Sequence, residues 1–182
     1  DGPVGNRHFW KSDTMVQRRE GFYASVRMLS SRMKSGECTR GEGLRSHHLA
    51  DGVTFVYRDG KEYANIFPVW DWRRLPGITC VHSNKPLIPP EILQPPENPD
   101  REEGDEYARR LNRAVASRGT RDFVGGVCDG TYGLAAMDFE RKPLAARKAW
   151  FFLDREIVCL GAGITSTADD PVLTSVNQCL LR

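Results

Sequence analysis

The sequence predicts an all-β protein, built as a large antiparallel β-sandwich. Three observations carry that expectation. Short runs rich in β-branched and aromatic residues recur along most of the chain, several of them alternating apolar and polar. Turn signals such as Asp59–Gly60, Pro76–Gly77 and Asp129–Gly130 separate these runs. One segment alone, 101–118, carries helical spacing. Roughly ten short strands beside one helix fit a sandwich better than an α/β fold. There is no repeat of fixed period.

In chain order, Thr14 to Arg18 reads as a strand that Gly21 breaks. Phe22 to Ser30 follows, with Phe22, Ala24, Val26 and Met28 on one side and Tyr23, Ser25 and Arg27 on the other. Residues 35–46, SGECTRGEGLRS, hold three glycines among charges and read as a loop. His47 and His48 read as a polar strand start. Val53 to Tyr57 is a strand, and Asp59–Gly60 predicts a hairpin that returns over Glu62 to Phe67. This return leads into FPVWDWRRLPGIT, residues 67–79. In an extended chain Trp70 and Trp72 would share one face and Asp71 would take the other.

Residues 85–100 carry six of the eleven prolines and predict an extended surface excursion. The segment 101–118 places Tyr107, Leu111 and Val115 four apart, as a solvated surface helix would. From Arg121 the pattern returns to β: Phe123 to Val127, Gly133 to Phe139 and Ala149 to Asp154. Glu156 to Thr165 is a continuous apolar run and predicts a buried strand, with Cys159 as a small buried hydrophobe. Val172 to Leu181 is a last alternating run. Trp10 and Trp150 are expected in the core.

Length and composition narrow the function classes. A chain of 182 residues fits one domain with a real core. A net charge of +2, from 26 basic and 24 acidic side chains, argues against a nucleic-acid binder that works by bulk charge. It leaves room for a local basic patch. No apolar run approaches the ~18 residues of a membrane span. There is no signal-like leader, and the chain opens on Asp1 without methionine, so a fragment or a processed product is expected. The five cysteines form no CxxC pair, and neighbouring His47 and His48 would diverge in a strand, so no metal site is expected.

Several residues stand out, each with two readings. Trp70 and Trp72 are either core or a flat platform for sugar rings. Arg73 and Arg74 either grip an acidic group with bidentate hydrogen bonds or cap a surface turn. Glu37 and Glu42 are either a carboxylate pair of the glycoside-hydrolase kind or an exposed acidic loop.

The ordered segments NRHFWKSD, MLSSR, GECTRGEG, HLADG, FPVWDWRRLPGIT, FVGGVCDGTYGLAAMDF, ARKAWFFLD, EIVCLGAGI and TSVNQ resemble the polysaccharide lyases that cleave hyaluronate, chondroitin and xanthan. The resemblance covers nearly the whole chain outside a Pro-rich and charged excursion at 82–120. It implies that residues 1–182 form one central β-sandwich domain of the galactose-mutarotase-like, super-sandwich type. It also implies β-elimination on a uronate-containing acidic polysaccharide, without a cofactor. The implied partners are that polysaccharide, a helical toroid before the domain and a β domain after it, with no nucleic acid and no membrane. The implied location is secreted or periplasmic.

In this family the proton-transfer tyrosine and histidine lie in the toroid, and the sandwich lends one wall of the cleft. The matching loop here is Glu37 to Gly43. The family motif reads approximately Glu-x-x-Asn-x-Glu-Asn. Glu37 and Glu42 are kept, while Arg40 and Gly43 stand where the family has asparagines. Glu37 is therefore expected to act in catalysis by orienting a proton-transfer group. Arg40, Glu42, Trp70, Trp72 and Arg73 are expected to contact substrate, with Arg40 able to hold a carboxylate or sulfate more firmly than asparagine. The alternative is a non-catalytic carbohydrate-binding or scaffolding sandwich.

Overall fold

The computed structural model describes residues 3–39, 42–98 and 102–180. Strands β1 (Gly5–Phe9), β2 (Thr14–Arg19), β3 (Phe22–Arg27) and β4 (Val53–Tyr57) pair in sequence order as one antiparallel sheet. A short strand β5 (Thr79–Val81) and helix α1 (Glu102–Val115) follow. Strands β6 (Val124–Cys128), β7 (Gly133–Arg141), β8 (Leu144–Phe152) and β9 (Ile157–Ser166) form a second antiparallel meander. The last strand, β10 (Val172–Thr174), runs back beside β5 as a two-stranded ribbon.

The two large sheets meet through the period-two alternation of their strands. Ala135, Met137 and Phe139 of β7, with Leu144, Ala146, Trp150 and Phe152 of β8, face Met15, Ala24, Val26 and Met28. Gln17 is a polar residue fully buried at the centre of β2. Its amide accepts from Asn6 Nδ2 at 2.8 Å and donates to the carbonyls of Leu153 (3.1 Å) and Thr131 (3.3 Å). A buried amide satisfied this way ties the first sheet to the second and fixes their relative position.

The helix expected over 101–118 forms, and it is only half solvated. Leu111 and Val115 are fully buried against Cys38 and Ile88, in a third, smaller core. The proline-rich excursion makes one 3₁₀ turn at Pro90–Ile92, and Ile92 packs in that same core.

Several expectations fail for identifiable reasons. The hairpin return over Glu62 to Phe67 does not form a strand. Glu62 instead gathers the backbone N–H groups of Arg58, Asp59 and Gly60 on its carboxylate, which closes the turn without a partner strand. Trp10 is 66% exposed on a 3₁₀ turn at the tip of the β1–β2 hairpin. His47 and His48 sit in a 3₁₀ turn, Ser46–His48, not at a strand start. The apolar run of β9 is exposed along nearly its whole length, Cys159 included. β9 pairs with β8 on one edge, and no described strand covers its other edge. The closing run keeps strand geometry only over Val172–Thr174.

Candidate functional site

Glu37 opens the loop, and one serine decides where its backbone lies. Ser46 Oγ accepts the Glu37 N–H at 3.0 Å and donates to the Glu37 carbonyl at 2.8 Å. Thr39 and Glu42 exchange two backbone hydrogen bonds across the loop tip, and Ser46 N–H closes on the Gly43 carbonyl. Two glycines make this closure possible. A Cβ on Gly36 would run into the Ser46 carbonyl, and one on Gly43, whose φ is +81°, would run into the Glu37 carbonyl. The glycines that mark this segment as a loop therefore also let its two arms touch. The side chains of Glu37 and Glu42 are left exposed. Arg40 lies outside the described residues.

Behind Ser46 stands a buried polar network. Asp51 is almost wholly inaccessible. It takes the His48 Nδ1–H at 2.7 Å and a forked pair of hydrogen bonds from Arg141, at 2.7 and 2.9 Å. Arg141 also donates to Ser117 Oγ at 2.6 Å. Burial alone would raise the Asp51 carboxyl, but the Arg141 guanidinium and the His48 hydrogen bond prevail and hold it at about 2. Burial, helped by Arg141, lowers the neighbouring His47 to about 4, so this imidazole is neutral near pH 7. The turn that carries Ser46 is thereby bolted to the end of β7 in the second sheet.

The tryptophan motif has a different character. Its chain is a series of turns rather than an extended strand, so the two indoles do not line up. They meet edge to face, 5.3 Å apart and at 75°. Trp70 is 5% exposed, stacks on Phe55 and gives its indole N–H to the Gln178 carbonyl. Trp72 is half-buried and donates back to the Phe67 carbonyl. Gln178, from the TSVNQ segment, accepts Asp71 N–H and donates to the carbonyls of Asp71 and Arg74. Arg73 is engaged with the Ser83 carbonyl at 2.6 Å, and Arg74 with Asp71 at 3.2 Å. Both arginines are spent on this corner.

The loop and the corner are thus separate structures. Glu37 and Glu42 are together on the loop, while Trp70, Trp72 and Arg73 belong to the corner. No group of three or more His, Cys, Asp or Glu among the described residues is arranged to hold a metal ion.

Residues 4–182 match the family model of the super-sandwich domain of polysaccharide lyase family 8. The chain belongs to that family. As a family 8 sandwich it is 38% identical to chondroitinase-AC of Pedobacter heparinus over 179 residues, which are 97% of this chain and 22% of the relative. It is 32% identical to a hyaluronate lyase of Thermasporomyces composti, covering 97% of this chain and 20% of that protein. Solved chondroitinase AC lyase, described in complexes with oligosaccharide, superposes with a TM-score of 0.79 at 36% identity, over 98% of this chain and 23% of that one. The chain therefore spans close to a fifth of the length of these curated relatives.

Ser46, Asp51 and Arg141 were not among the residues singled out from the sequence. Asp51 lies three positions beyond His48, within reach for a hydrogen bond in a tight turn. That spacing is a weak signal, because the partner that gives Asp51 its weight, Arg141, is 90 positions away.

Proposed function

We propose that the chain forms one wall of the substrate cleft in a polysaccharide lyase that cleaves a uronate-containing glycan, of the chondroitin or hyaluronate kind, by β-elimination. The observation that carries this reading is Glu37: an exposed carboxylate on a backbone that Ser46, Gly36 and Gly43 hold in one place. A catalytic carboxylate needs that combination, since its value depends on being in position before the reaction starts.

In the elimination, the C5–H bond breaks and its electron pair forms the C4–C5 double bond. The C4–O bond breaks in turn, and the leaving oxygen takes a proton. The uronate carboxylate must be neutralised first, because its charge opposes carbanion character at C5. Glu37 contributes by orienting the cationic and proton-transfer groups across the cleft. Those groups belong to a helical toroid before this domain, and a β domain follows it. Glu42 lines the same wall toward substrate, and Arg40 is proposed to contact the substrate's acidic group. Trp70, Trp72 and Arg73 shape the domain that carries the wall. The protein acts outside the cytoplasm, in the secreted or periplasmic space where such polymers are met.

The test is turnover of chondroitin and of hyaluronate by the polypeptide as its gene encodes it, followed by the ultraviolet absorbance of the unsaturated product. Cleavage that drops on Glu37→Gln supports the reading. Glycan binding without any unsaturated product would assign a non-catalytic binding module instead.

A further inference from the structure

Helix α1 does more than cover Ile88. Between it and the segment leading to Glu37 runs an open groove of about 470 Å³, lined among others by Lys34, Thr39, Arg109, Asn112 and Arg113. This volume falls in the range of small-ligand clefts. Three cations line the groove. Among the described residues, the acid in hydrogen-bond contact with the two arginines is Glu106, whose two oxygens take Arg109 Nε at 3.1 Å and Arg113 Nη2 at 2.7 Å. One carboxylate thus holds two guanidiniums side by side and leaves their charge under-neutralised. Among the described residues, neither arginine makes a further hydrogen bond. Lys34, on the opposite wall, has no side-chain hydrogen bond among the described residues.

The walls are fixed to one another. Ser35 N–H bonds the Ser117 carbonyl at 2.9 Å, and Ser35 Oγ reaches the Val115 carbonyl at the helix end. Tyr107 and Arg110 tie the other side of the helix to the carbonyls of Leu93 and Gln94, each at 2.9 Å. Leu111 and Val115 pack on Cys38, the residue directly after Glu37. The groove is therefore set by the same segment that positions Glu37, and its Thr39 belongs to the wall loop itself.

We infer that this groove is an anion-binding subsite, which takes a carboxylate or sulfate of an acidic polysaccharide one or more sugar units beyond the wall loop. The inference rests on the lyase reading above and extends it from the wall loop to helix α1, which lies outside the shared motifs. Guanidinium forks suit both anions, and Asn112 and Thr39 add neutral hydrogen-bonding groups for sugar hydroxyls. The site is open, so its grip weakens as salt screens it. A net charge of +2 over the chain makes such local concentration of cations the route by which the protein would hold a polyanion.

The experiment measures binding of hyaluronan and chondroitin sulfate oligosaccharides of equal length at two salt concentrations. It compares wild type, Arg109→Gln with Arg113→Gln, Lys34→Gln alone, and a control in which Arg7, Arg58 and Arg155 become Gln. Gln keeps helix propensity and the three groove cations are exposed, so thermal midpoints stay level. The expected result is a loss of about tenfold in affinity for the double variant, a smaller loss for Lys34→Gln, a shallower salt dependence in both, and no loss in the control. A loss confined to the sulfated glycan supports the subsite and assigns it to sulfate, and an equal loss on both supports it and assigns uronate carboxylate. Groove variants that bind like wild type overturn the inference and leave the lyase reading intact, as does a control that loses as much. A wild type that binds neither glycan overturns both.

Discussion

The tryptophan corner and the glutamate loop are both irregular, both rich in turns, and both carry motifs shared with the lyases. They are held in opposite ways. The corner is closed by side chains: Trp70 on Phe55 of β4, Trp72 on Trp70, and Gln178 across three backbone groups. Its charged groups, Asp71 and Arg74, pair with each other. The loop is closed through its backbone, by Ser46 on Glu37 and by Asp51 and Arg141 behind it. Its carboxylates stay exposed. The contrast teaches where to look for function in such a domain. Large aromatic side chains draw the eye, yet here they are used up in packing. The free groups are those whose backbone is fixed by something else.

If that contrast holds, the regions should fail differently. Trp70→Ala should be the most damaging change, costing about 3–5 kcal/mol in chemical denaturation, because a large indole leaves a packed aromatic cluster. Asp51→Ala should cost about 3 kcal/mol, since it strands the Arg141 guanidinium without its carboxylate. The two should part in hydrogen exchange. Trp70→Ala should leave protection within 36–46 in line with global stability, and Asp51→Ala should lower it first in that loop. Ser46→Ala removes one hydroxyl from two backbone groups and should cost about 1–2 kcal/mol, with faster exchange centred on the Glu37 N–H. If Ser46→Ala leaves that exchange unchanged, the loop is not held as described.

Acid should loosen the loop side in two windows. His47 is lowered in the folded protein from an ordinary value near 6.5 to about 4. The unfolded chain therefore takes up that proton first, and stability falls as pH drops from about 6.5 to 4. Asp51 is lowered to about 2, so its contribution is present above the ordinary carboxylate range of about 4 and is lost as pH falls through 2. Denaturation midpoints recorded from pH 7 to 2 should show both windows. His47→Gln should flatten the upper one alone.

The strands β3 and β7 were legible because alternation is local and states their buried faces in their own sequence, while β4 was legible from its β-branched and aromatic residues and β8 only in its second half, from Ala149. β9 misled, because a continuous apolar run is the same signal whether or not a neighbour covers it. Trp10 misled in a similar way, since hydrophobicity alone does not say which tryptophan lies at a hairpin tip. Glu37 and Glu42 could be found through resemblance to a motif. Ser46, Asp51 and Arg141 could not, because their importance lies in contacts that only the folded chain brings together.

The most direct test of the account is the turnover of the gene's full polypeptide with Glu37→Gln, alongside the isolated 182 residues. The account predicts that Glu37→Gln keeps its thermal midpoint and loses kcat/KM by about tenfold to a hundredfold, as a group that orients catalytic partners should. It also predicts that the isolated residues release no unsaturated product. Undiminished turnover in Glu37→Gln, or full-rate cleavage by the isolated chain, would contradict it.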